Sequence, residues 1–245
     1  MWHTLKKMQD KTLFVKQQYR KRLCAWLYGP LSSNDIYQTH PKTTNLIRNL
    51  QLYTLEEIRT QFISSTNFEK IISPIEDKQI ELMQIKRRTT ICNSPPRNSD
   101  QKRGIELESE ALEAFARTTS KLVYDLKKFA SVHGKSRRAY AYHPDHPFLI
   151  SSPDGLTSCG CLVEIKCPRS FYKSIPREHR LQMLFDMCVC GFDACFYVQY
   201  VKGEGCVVNK VTINDEVYNK HLFTDSLNQM YEFFSNLSRG NNVLL

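Results

Sequence analysis

Asp154, Glu164 and Lys166 are the residues of this chain whose types and spacing promise chemistry. Pro153-Asp154-Gly155 has the composition of a turn, and Leu162-Val163-Glu164-Ile165-Lys166-Cys167-Pro168 that of a strand ending at a proline. Side chains alternate along a strand, so Val163 and Ile165 face a core while Glu164 and Lys166 stand side by side on the other face. A tight hairpin brings Asp154 back beside Glu164. Two carboxylates and an ammonium then converge at one point. Hard oxygen ligands suit Mg²⁺ or Mn²⁺. A lysine beside such an ion can orient a water, which completes the parts for metal-assisted phosphodiester hydrolysis. Glu-x-Lys by itself is commonly the wet face of a surface hairpin. The Pro-Asp at hairpin distance, the Ser151-Ser152 lead-in and the Cys167-Pro168 ending lift this one above that reading.

The elements that must hold these residues can be traced outward. Strands are expected near 138–143, 148–152, 161–167, 194–201 and 205–212. A helix begins near Lys102 and runs to about Lys121, with Ile105, Glu108, Ala111, Leu112 and Phe115 near one face. Arg177 to Cys190 reads as a second helix, and Thr224 to Leu237 as a third with Leu227, Met230, Tyr231 and Phe234 on its apolar side. The order helix, hairpin, helix, strand implies an α/β fold with a mixed central sheet flanked by helices. Ser94 to Asp100 is a loop, and residues 34–70 look helical but weakly patterned. Residues 1–28 are basic and helical in pattern, with Lys6, Lys7, Lys11, Lys16, Arg20, Lys21 and Arg22 against Asp10 alone. The expected division is a basic helical N-terminal region, 1–70, and a catalytic domain, 71–245.

Three blocks carry a resemblance. Ser152-Pro153-Asp154-Gly155-Leu156 with Leu162 to Pro168 resembles the core of the phage lambda exonuclease family, the YqaJ-type viral recombinase nucleases of PD-(D/E)XK type. The alkaline nucleases of large eukaryotic DNA viruses are also similar. Arg103-Gly104-Ile105-Glu106-Leu107-Glu108-Ser109-Glu110-Ala111 resembles the family's Arg-Gly helix, whose glutamate reaches the metal. Glu106, Glu108 and Glu110 are equal rivals by chemistry, and the family spacing selects Glu108. Gln182 to Tyr200 resembles the family's helix-to-strand block, which opens on Gln-x-Gln; Gln182 matches the first glutamine and Leu184 stands at the second. The resemblance implies a restriction-endonuclease-like fold with a helical N-terminal extension. It implies a Mg²⁺-dependent nuclease acting 5′ to 3′ on duplex DNA ends, with Mn²⁺ as a substitute. Asp154, Glu164, the Ile165 carbonyl and Glu108 would hold the metal, Lys166 would position the water, and Gln182 would hold Lys166 or a phosphate oxygen. The family's Trp-x-x-x-Arg, which binds a 5′-phosphate, has no Trp here; Arg87 and Arg88 are the nearest candidates, with Arg103. The chemistry alone serves an endonuclease equally, and a nuclease-derived DNA-binding or adaptor protein is the rival from another class. A single-strand annealing partner and a ring-like homo-oligomer follow by analogy with phage relatives.

Composition agrees with a polyanionic partner. The chain has 245 residues, with 34 basic and 25 acidic residues and a net charge of +9. No apolar run approaches the roughly 20 residues of a membrane span. The N-terminus lacks the apolar block of a signal peptide, so the expected location is intracellular, and the host nucleus for an enzyme of a eukaryotic virus. The nine cysteines match no usual pair of zinc-ligand doublets and are expected as free thiols. DNA contacts are expected from Lys6, Lys7, Arg20, Lys21 and Arg22. Removing residues 1–28 should therefore weaken DNA binding at low salt and flatten the plot of log affinity against log salt, because each neutralised phosphate releases counterions. An unchanged slope with a folded protein would place the DNA groove wholly outside this segment.

Overall fold

The computed structural model describes residues 39–54, 62–73, 79, 82, 99–131, 137–214 and 220–241. The described chain runs α1 (Pro41–Asn49), β1 (Gln51–Thr54), β2 (Ile63–Ser64), α2 (Ser65–Ile71), α3 (Ser99–Thr119), β3 (Val123–Asp125), α4 (Leu126–Ser131) and β4 (Arg137–Tyr142). It continues β5 (Leu149–Ser151), β6 (Gly155–Thr157), β7 (Leu162–Lys166), α5 (Arg177–Cys190), β8 (Ala194–Val201), β9 (Gly205–Thr212), α6 (Lys220–Asp225) and α7 (Leu227–Asn241). A five-stranded mixed sheet has the order β3-β6-β7-β8-β9, and a second, four-stranded sheet has the order β1-β4-β5-β2. The α/β mixed-sheet class expected from the sequence is present.

β7 and β8 pair in parallel, and α5 supplies the crossover that parallel pairing needs. β8 is buried along its whole length, which explains a run that is apolar or aromatic at every position but Gln199. α3 packs on one face of this sheet through Ala111, Leu112, Ala114 and Phe115, against Val163, Ile165, Phe196 and Val198. α5 lies in the main core with Leu181, Met183, Leu184, Phe185, Met187 and Val189 buried. Gly191 takes φ +71° at its C-terminal end, and the Phe192 amide donates to the Met187 carbonyl at 2.9 Å, closing the helix in the manner a glycine permits.

Several expectations change. Asp154 was expected at the joint of a hairpin made by the strand near 148–152 and the strand near 161–167. Instead β7 pairs with the new strand β6, and β5 belongs to the other sheet. Pro153 cannot donate to a ladder, so the chain leaves one sheet at Ser151 and enters the next at Gly155. A Cβ on Gly155 would stand 3.0 Å from Leu112 Cδ1, so α3 approaches β6 closely at this point. The stretch 34–70, expected to look helical, contains β1 and β2 among its described residues, and these pair with β4 and β5. The C-terminal helix is two helices, α6 and α7, with Ser226 between them. Arg87, Arg88, Lys6, Lys7, Arg20, Lys21 and Arg22 lie outside the described residues.

Phe115 is fully buried and stands 5.3 Å from the Phe196 ring. Phe115→Ala should cost about 3–5 kcal/mol in denaturant unfolding, as large-to-small core changes do. A loss under about 1 kcal/mol would mean that α3 does not pack on the sheet as described.

Candidate active site

Glu164 sits inside β7 with only 3% exposure, and Lys166 follows it on the same face at the strand end. Lys166 Nζ donates to Glu164 Oε1 at 2.5 Å and to Gln182 Oε1 at 3.0 Å. Asp154 reaches the same strand from the β5–β6 connection. Its Oδ2 accepts the Ile165 amide at 2.8 Å, which fixes the carboxylate beside the backbone between Glu164 and Lys166. The structure thus brings Asp154, Glu164, Lys166 and Gln182 together.

Glu108 projects from α3 and is half-buried, and its carboxylate pairs with Lys127 of α4. The charge of Lys127 adds a small pull toward the ionised form of Glu164, behind burial, Lys166 and Asp154. The two rival glutamates go elsewhere: Glu106 is exposed, and Glu110 accepts from the Tyr200 hydroxyl at 2.5 Å. Arg103 donates from a terminal nitrogen to the Cys167 carbonyl at 2.9 Å and ion-pairs with Asp100 at 3.6 Å, so it braces the chain just after β7. Leu184, at the family's second glutamine, is 1% exposed and belongs to the core.

Three members of this environment were not singled out in the sequence: Lys127, Asp186 and His179. Asp186 is 2% exposed and accepts from the Ser151 hydroxyl at 2.5 Å. It lies one turn beyond Gln182 on α5, and that i, i+4 spacing was the available signal. His179 Nδ1 and the Tyr197 hydroxyl share a hydrogen bond at 2.8 Å. Lys127 follows a short strand that carried no clear pattern, so nothing in the sequence marked it.

The electrostatics are those of too much buried negative charge. Burial pushes the Glu164 pKa up to about 7; Lys166 opposes that shift and Asp154 adds to it. Burial first, then the charge of Glu164, raises Asp186 well above the ordinary carboxylate range, against the pull of the Ser151 and Ser65 hydroxyls. Burial alone would lower Lys166, but Glu164 and Asp154 outweigh it and hold the ammonium above its ordinary value. Burial, and second the Lys166 charge, lower His179 to about 4, so its ring is neutral at physiological pH. Among the described residues no cluster of three or more His, Cys, Asp or Glu side chains is arranged around a metal position. Mg²⁺ is commonly held by only one or two carboxylates, with waters and phosphate completing its shell. The Asp154–Glu164 pair fits that donor set, and a divalent cation would offset the burial, and second the Asp154 charge, that raise Glu164. The described cysteines are free thiols, and burial pushes Cys190 and Cys195 upward.

The sequence profile of the YqaJ-like viral recombinase domain matches residues 55–193. The chain belongs to that family. It is the family of nucleases that the Pro-Asp, Glu-x-Lys and Arg-Gly blocks resemble. The fold of this YqaJ-like chain is similar to that of an alkaline exonuclease from Laribacter hongkongensis, with a TM-score of 0.59 and 20% identity over 76% of this chain and 92% of that one. The same exonuclease in complex with dAMP gives the same values. A phage related exonuclease from Haemophilus somnus 129PT matches with a TM-score of 0.50 and 12% identity, over 76% of this chain and 93% of that one. No curated protein matches. No helix among the described residues is long and apolar enough to cross a membrane.

The raised Glu164 pKa has a sign that can be checked. An unfolded glutamate ionises near 4.5 and the folded one near 7, so between those values the native state holds a proton that the unfolded state has released. Stability should therefore fall as pH rises through that window, by at most about 1.4 kcal/mol per pH unit. Glu164→Gln should flatten the slope between pH 4.5 and 7 in denaturant melts of the metal-free protein; equal slopes in both proteins would contradict the assignment.

Proposed function

We propose that this YqaJ-like chain is a metal-dependent deoxyribonuclease that degrades duplex DNA from its ends, 5′ to 3′, in viral-type recombination or DNA processing. The observation that carries the reading is the convergence of Asp154, Glu164, Lys166 and Gln182 at one end of β7. Exonucleases among its structural neighbours and the family's character support the choice of DNA ends as substrate. A divalent ion, Mg²⁺ in this reading, would be held by Asp154, Glu164 and the Ile165 carbonyl with Glu108 beside them, and supplies a Lewis acid for the scissile phosphate and an acidified water.

The chain's own residues do the positioning. Gln182 fixes the Lys166 ammonium from one side and Glu164 from the other. Lys166 is then aimed rather than free to rotate, which lets it orient the attacking water and offset charge building on the phosphate. The amide of Ile165 holds Asp154 at one rotamer, and Asp186 with Ser151 ties α5 to the strand that leads into Asp154. Arg103, Arg87 and Arg88 are proposed contacts to the DNA backbone. Attack by water in line with the leaving 3′-oxygen gives a 5′-phosphate and a 3′-hydroxyl.

The test is cleavage of an end-labelled duplex in Mg²⁺ and in EDTA. Asp154→Ala and Glu164→Ala should lower the rate at least about a hundredfold while DNA binding persists. Lys166→Ala should fall by about a hundredfold, and Lys166→Arg should not restore it, because a wide fork cannot replace a compact ammonium. Retention of more than about a tenth of the rate in either carboxylate variant would remove these residues as metal ligands. Cutting of closed circular DNA at the rate of linear DNA would make the enzyme an endonuclease.

A further inference from the structure

The segment between β7 and α5 leaves the catalytic strand at Cys167 and carries Arg169, Tyr172 and Lys173 outward, all three exposed. It has no helix or strand of its own, yet it is fastened at two points. Arg169 ion-pairs with Asp100 at the start of α3 at 3.2 Å. The Tyr172 amide donates to Gln199 Oε1 at 2.7 Å. Gln199 is 2% exposed and lies on β8 directly opposite Lys166. A buried amide side chain on the neighbouring strand therefore sets where Tyr172 stands relative to the lysine.

The Tyr172 ring is backed as well as placed. It lies 5.7 Å from the His179 ring, which lies 5.7 Å from Tyr197 and is bonded to the Tyr197 hydroxyl. Tyr197 in turn stands opposite Glu164 in the β7–β8 register. The three rings form a row that begins beside the catalytic carboxylate and ends at a tyrosine 41% exposed to solvent. An aromatic face held at a fixed place, with a basic side chain on either side along the chain, is the arrangement that takes an unstacked base and its flanking phosphates.

We propose that Tyr172 is a stacking platform for a nucleobase of the strand being cut, with Arg169 and Lys173 tracking its backbone. The site accepts a nucleotide whose base has left the duplex stack, so the ligand class is a single-stranded DNA end and the platform is tolerant of base identity. This rests on the nuclease reading above and adds to it the place where the strand lies once it is separated.

The experiment uses the full chain and short duplexes carrying 2-aminopurine, a base whose fluorescence is quenched by stacking, at each of the three terminal nucleotides of one strand. Binding is read in EDTA and cleavage in Mg²⁺. Wild-type protein and Tyr172→Trp should quench at one of the three positions, and Tyr172→Ala should not. Tyr172→Ala should raise KM about tenfold, in line with the loss of one base–aromatic contact, with kcat within about twofold of wild type. Equal quenching in Tyr172→Ala, or an unchanged KM, overturns the platform while leaving the nuclease reading intact. Tyr172-dependent quenching in a protein that cuts nothing with any divalent ion would uphold the platform and overturn the nuclease reading. A quench that survives Tyr172→Ala but disappears in His179→Ala would place the base on the imidazole and also overturn the proposal.

Discussion

A carboxylate almost shut off from water at position 164 is the constraint around which the rest is arranged. An ionised glutamate in such a place is costly unless it is paired and hydrogen-bonded. Lys166 provides the pair, and only an extended backbone sets residues two apart on one face at bonding distance. The strand must therefore be straight here, and buried neighbours on both sides keep it so. Asp154 then adds a second negative charge instead of relieving the first. A pair of carboxylates held in this condition is what the proposed divalent cation would bind.

α5 carries much of the enclosure on one face. His179, Gln182 and Asp186 follow the helical repeat, three and then four residues apart, while the leucines, methionines and phenylalanine between them fill the core. Gln182 reaches Lys166, Asp186 reaches Ser151 on the approach to Asp154, and His179 reaches Tyr197 on the strand beside Glu164. One helix thus bonds to a residue on each of β5, β7 and β8.

What the sequence revealed and what it concealed divide along physical lines. β7, β8, β9 and α5 were readable because alternation, a buried apolar run and a helical stripe each leave a periodic trace. Glu164 and Lys166 were readable because strand alternation sets them on one face, Asp154 because it stands in a Pro-Asp-Gly stretch, and Gln182 only through the family block it resembles. The exchange of sheets at Pro153 was not, since a three-residue strand such as β6 is too short for any period to show. Lys127 was hidden for the same reason, lying just beyond the equally short β3. Asp186 was hidden in a run of apolar residues, where a polar residue reads as an interruption until its distance from Gln182 is counted. The strands β1 and β2 were missed because each finds its partner far along the chain, in β4 and β5.

The parallel pairing of β7 with β8 also fixes when the site comes into being. β7 can pair with β6 as soon as both exist, but β8 follows only after the whole of α5. Pairing across such a crossover closes a long loop and is slow compared with a local hairpin. Gln182, Tyr197 and Gln199 all arrive with that step. A nascent chain that has released β7 therefore displays Asp154, Glu164 and Lys166 without the groups that aim them, and synthesis must pass Val201 before the enclosure can form. Assembly of the centre is in this way a late event in the life of the chain, timed by its topology.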